Sequence, residues 1–63
     1  MDRLERIAII NRVLRSRIFW LRRYRSWIAG GCSDVAFRRR TLRFIADEKA
    51  GIALERARLR HYA

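Results

Sequence analysis

Ser16-Arg17-Ile18-Phe19-Trp20-Leu21-Arg22-Arg23-Tyr24-Arg25-Ser26-Trp27-Ile28-Ala29-Gly30-Gly31 is the stretch that decides the fold. It contains no helix breaker before the glycine pair, which is the one strong punctuation mark in the chain. Upstream of it, Leu4, Ile7, Ile10, Leu14 and Ile18 follow the three-four spacing of a buried helical stripe. Trp20, Leu21, Tyr24, Trp27 and Ile28 continue that spacing. Asp2 and Glu5 place negative charge in the first turn, where it suits the helix dipole. One helix of about 27 residues, roughly 40 Å long, is as good a reading as two shorter ones. If the segment breaks near Ile18, the chain is a helix-turn-helix. If it does not, the chain is a hairpin.

After the glycines, Cys32-Ser33-Asp34 reads as a helix start, with Ser33 or Asp34 as the cap. Val35, Phe37, Thr41, Leu42, Phe44 and Ile45 fall on one broad face of the helix that follows. Arg39, Arg40 and Arg43 cluster opposite, with Arg38 at the flank and no acid among them. Beyond Gly51, Ile52, Leu54, Arg56, Arg58, Arg60 and Tyr62 alternate imperfectly with Ala53, Glu55, Ala57, Leu59 and His61. The residue types there favour helix, and no hairpin turn is available. The expected division is a helical segment over 2–29, the Gly30-Gly31 turn, a second helical segment over 33–48 and a basic tail over 49–63.

Sixteen basic residues, fifteen of them arginine, stand against six acids in 63 residues and leave a formal charge of +10. They interleave with 51% hydrophobic residues, so the charge lies on amphipathic elements rather than in a disordered arm. Such a surface is built to meet something anionic, with nucleic acid the default partner and an acidic protein the other. A core this small is marginal alone, and dimerisation would add apolar surface. Six arginines between Ile7 and Ile28 exclude a membrane span there, each costing roughly 2.5–3.5 kcal/mol at a bilayer centre. No signal peptide is evident, so a cytoplasmic protein is expected.

Catalytic and metal chemistry find little support, and no cofactor is expected. Cys32 is the only cysteine and His61 the only histidine, which excludes an internal disulfide and argues against a protein-only zinc site. A packed thiol is the simpler reading of Cys32. Asp47 and Glu48 are adjacent and point to different helix faces, so they are not a catalytic pair. Gly30-Gly31 lacks the spacing of a phosphate loop. Trp20, Tyr24 and Trp27 have the spacing of a core stripe, although Phe19, Trp20, Tyr24 and Trp27 could also stack bases or form an interface.

Met1-Asp2-Arg3-Leu4-Glu5-Arg6-Ile7, followed by an apolar run to Leu14-Arg15-Ser16-Arg17, resembles the opening of the N-terminal winged-helix domain of WYL-domain transcription regulators. Gly31-Cys32-Ser33-Asp34-Val35-Ala36-Phe37-Arg38-Arg39 is similar to that family's turn and recognition-helix start, where a pattern like G-V-S-x-x-T-F-K-R is usual. Leu42, Phe44 and Ile45 match its following core positions, and Gly51 to Tyr62 lies where its wing would be. Arg40 stands where that family carries an acid.

The resemblance implies a mainly α, small helix-turn-helix domain with a rudimentary wing that binds DNA as a regulator. Arg39, Arg40 and Arg43 would then read base edges from the major groove, while Arg38, Arg56, Arg58 and Arg60 hold phosphates. Ile7, Leu14, Trp20, Leu21, Trp27 and Ile28 would build the core or a homodimer seam. The alternative fold is a two-helix antiparallel hairpin that dimerises. Ile7, Leu14, Leu21 and Ile28 recur every seven residues, as its seam requires. Its basic faces would dock on an acidic protein or a large assembly, as an inhibitor or accessory subunit.

Overall fold

Asp2 starts the first helix: its carboxylate accepts from the Glu5 backbone N–H at 2.8 Å, satisfying one of the free donors at the helix N-terminus. In the computed structural model, which describes residues 1–31 and 33–62, that helix (α1) runs Arg3–Ala29 without interruption. The break expected near Ile18 by the helix-turn-helix reading is therefore absent. Nothing between Ser16 and Ala29 lacks a backbone donor or favours another conformation, so the helix simply continues.

The glycine pair stops it. The Gly30 N–H donates to the Ser26 carbonyl at 2.9 Å and the Gly31 N–H to that of Ile28 at 3.2 Å. Gly31 then turns at φ 79°, a conformation costly for any residue with a Cβ. Asp34 caps the second helix by accepting from the Phe37 N–H at 3.0 Å, and α2 runs Val35–His61. Cys32, expected as a packed thiol, lies outside the described residues.

The basic tail is the second half of α2, as its residue types favour, and the wing is not found: no strand occurs among the described residues. With 27 residues in each helix, helical content exceeds three-quarters of the 63-residue chain. The imperfect alternation beyond Gly51 is a by-product of the 3.6-residue turn, which buries Ile52 and Glu55 and leaves Leu54 exposed.

α1 and α2 lie antiparallel as a hairpin with Cα extents of 47 × 16 × 14 Å. The buried apolar residues are Ile10, Leu14, Leu21 and Ile52, with Ile18, Ile45, Leu59 and Tyr62 packed against them. In the seven-residue repeat, Leu14 and Leu21 are buried and Ile7 and Ile28 half-buried. Thr41 and Glu55 are the buried polar residues, satisfied by the Phe37 carbonyl at 2.9 Å and by Arg58 at 2.8 Å. The open end of the hairpin is tied by Arg3, which donates to the Tyr62 carbonyl.

Gly51 is buried in the middle of α2, where glycine costs roughly 1 kcal/mol relative to alanine. Its use has a steric cause. The Arg17 guanidinium from α1 lies where a Cβ would be, and reaches Glu48 at 3.4 Å. Gly51→Ala is therefore expected to give no stabilisation in the wild type, but about 1 kcal/mol of it in an Arg17→Ala background. Urea melts of the four proteins in that cycle check this, and equal effects of Gly51→Ala in the two backgrounds would contradict it.

Candidate functional site

Each helix advances about 100° per residue, so residues flanking the buried seam divide onto two sides of the hairpin. On one side, Arg15, Arg22 and Arg25 of α1 run beside Arg38, Lys49, Arg56 and Arg60 of α2. Between them lies an open groove of about 450 Å³, lined by Ile18, Leu21, Arg22, Arg25, Lys49, Ile52, Ala53 and Arg56. The apolar residues make its floor and the four cations its walls. Around the outer side of α1 the groove meets a hollow of about 490 Å³ between Arg15, Ile18, Phe19, Arg22, Arg23 and Ser26, sharing Ile18 and Arg22 with it. There the Arg23 guanidinium lies 5.7 Å from the exposed Phe19 ring, within cation–π range.

No acid lines this groove. Asp2 and Asp34 cap the helices, and Glu5 lies in the first turn of α1. Glu48 and Glu55 turn to the opposite flank, where Arg17 and Arg58 pair with them at 3.4 and 2.8 Å. Asp47 is exposed on that same opposite side. Among the described residues, Arg22, Arg25, Lys49 and Arg56 make no ion pair. Four cations around one groove repel each other, and an incoming anion relieves that repulsion.

The expected site residues distribute unevenly over this geometry. Arg38, Arg56 and Arg60 lie on the basic flank, whereas Arg58 is turned away and bonded to Glu55. Arg39 and Arg43 are one turn apart on the outer surface of α2, both exposed, and Arg40 is directed toward the opposite flank. Leu14 and Leu21 serve the core as expected, but Trp20 and Trp27 do not. They are 41% and 39% exposed, in a chain of rings with Tyr24, Phe37 and Phe44 on the flank away from the groove. The spacing that suggested a core stripe is real, but it belongs to a second stripe beside the seam.

Arg15, Arg22, Arg25 and Lys49 complete the basic flank and were not singled out in the sequence. The only local signal is their spacing, seven and three residues on α1 and seven between Lys49 and Arg56. Their assembly into one groove depends on the register of the two helices.

Among the described residues no cluster of His, Cys, Asp and Glu is placed to hold a metal ion, and no helix is long and apolar enough to cross a membrane. No family model, no curated protein and no solved structure matches this chain.

Proposed function

We propose that the chain is a small DNA-binding protein whose basic flank seats on the phosphate backbone. The observation that carries this reading is the gathering of charge: Arg22, Arg25, Lys49 and Arg56 line one groove that holds no acid, and the helical repeat continues that row through Arg15, Arg38 and Arg60. From Arg38 to Arg60 these cations extend over about 33 Å at 1.5 Å per residue, close to one turn of duplex DNA. Arginine donates in a fixed fork that matches phosphate oxygens, and six of the seven are arginine.

A protein partner is less well matched by this flank. Protein interfaces place aromatic anchors at the centre and charge at the rim. Here the order is reversed, with cations throughout and most of the rings on the other side. The reading keeps the DNA partner implied by the family resemblance but not its winged docking. Backbone contacts through the flank position the hairpin, and Arg39 and Arg43 on the outer surface of α2 are the side chains free to reach base edges. The regulatory role follows from that resemblance and forms part of the same proposal.

Anisotropy titrations of labelled random duplex DNA over a salt series test it. Wild type is expected to bind with a steep negative log–log salt slope, and Arg39→Ala/Arg43→Ala to keep most of that slope. If a selected sequence is preferred and the double variant loses the preference, the two arginines read bases. Absence of binding even near 50 mM salt, where backbone contacts are strongest, overturns the reading and directs attention to an acidic protein.

A further inference from the structure

We infer that the aromatic flank is the seat of a second copy of this chain, making an isologous dimer with a four-helix core. It rests on the flank away from the groove and stands apart from the DNA reading. Val13, Trp20 and Trp27 recur every seven residues on α1, one position before Leu14, Leu21 and Ile28. On α2, Phe37, Phe44 and Gly51 recur in the same way. Each helix thus carries two adjacent seven-residue stripes. A helix packed against one neighbour needs one stripe, while a helix in a four-helix bundle packs against two and needs both. The first stripe closes the hairpin. The second is left with rings in contact across it, Tyr24 with Phe44 at 5.4 Å and Trp27 with Phe37 at 6.0 Å, while Trp20, Trp27 and Phe44 remain exposed.

Charge selects the occupant. A +10 chain is repelled by its own copies, so two can approach only where the field is weakest. The groove is lined by four cations and no acid. The aromatic flank carries Arg6, Arg17, Arg40 and Arg58 against Asp47, Glu48 and Glu55, a net of +1, with two of those acids already paired. This is the side on which a like-charged molecule can dock, and the acidic partner that the basic flank would attract has little to grip here. The available area is sufficient. Cα extents of 47 by 16 Å give a face on the order of 750 Å² per protomer, near the ~800 Å² each partner buries in a standard interface. A two-fold axis puts the same stripe on both copies and leaves both basic grooves facing outward.

Sedimentation equilibrium of the full chain over loadings from about 1 μM to 0.1 mM, a range that brackets a Kd in the micromolar range and saturates the dimer at its upper end, tests the inference. Wild type is expected at twice the 7.6 kDa chain mass. Trp20→Glu and Asp47→Arg place unfavourable charge on the aromatic flank, and each is expected to weaken association at least about tenfold. Leu42→Glu, exposed on the other side of α2, is expected to leave the dimer intact. Should Trp20→Glu lose its helical circular dichroism, Asp47→Arg decides, because it alters an exposed residue on the same flank. A folded wild type at one chain mass at the highest loading, a mass of three or more, or a Kd left unchanged by Asp47→Arg overturns the inference.

Discussion

Ile18→Pro is expected to abolish folding at room temperature. Residue 18 lies in the middle of a 27-residue helix, so proline there removes the N–H that bonds the Leu14 carbonyl and pushes its ring against that same group. The cost is about 3 kcal/mol or more. A chain of this size with four buried aliphatics has a total stability of no more than roughly 3–5 kcal/mol. The substitution therefore consumes most of what holds the hairpin together. Ile18 also packs against the core, so Ile18→Ala serves as the control that removes the side chain and keeps the backbone. Far-ultraviolet circular dichroism with thermal melting separates them, the alanine variant retaining a cooperative transition and the proline variant losing it. If the proline variant melts like wild type, a loop lies at Ile18 and the hairpin is wrong.

Neutralising the groove is expected to have the largest effect on binding. Arg22→Gln/Arg25→Gln/Lys49→Gln/Arg56→Gln lowers the formal charge from +10 to +6, by one for each of the four substitutions. Each phosphate contact contributes about 0.9 to the log–log salt slope, so four lost contacts should flatten it by about 3.6 and weaken binding on the order of a thousandfold near 0.1 M salt. Glutamine is a good helix former and these side chains are exposed, so the fold should persist. Arg6→Gln/Arg12→Gln/Arg40→Gln removes three charges from surfaces away from both the groove and the outer face of α2, and there the loss should stay within about tenfold. Equal losses per charge removed in the two variants would mean that binding follows net charge alone, and the flank would have no special role.

The helix limits and the seam were legible in the chain because their causes are local. Asp2 and Asp34 are capping residues beside the helices they start, and the glycine pair is the only strong break. Ile7, Leu14, Leu21 and Ile28 announce the seam by period alone. What local reading could not settle was the continuity of α1 at Ile18. Absence of a breaker permits a long helix, but only burial against α2 selects it over two short ones. The second helix runs past the limit expected at residue 48 through Gly51, whose place against the Arg17 guanidinium of the other helix no sequence neighbour announces. Trp20 and Trp27 have core spacing but lie one residue off the buried repeat, so about 100° of rotation places them on a flank. The groove is the least legible feature. Arg22 and Lys49 become neighbours only through antiparallel register, which no single helix encodes.

The turn also governs how the chain reaches this state. Trp27 and Phe37, the ring pair nearest Gly31, are only ten residues apart in sequence, so their loop closes on roughly the 100 ns scale. Tyr24 and Phe44 come next, then Arg17 with Glu48, and finally Arg3 with Tyr62. Each pairing shortens the segment that the next must close, so the entropy of closure is met in small steps rather than all at once. With no proline in the chain, no slow isomerisation interrupts the sequence of pairings. Assembly is therefore expected to run as a zipper from the glycines outward, so that substitutions at Trp27 or Phe37 slow folding while those near Arg3 and Tyr62 mainly speed unfolding, as stopped-flow kinetics would read.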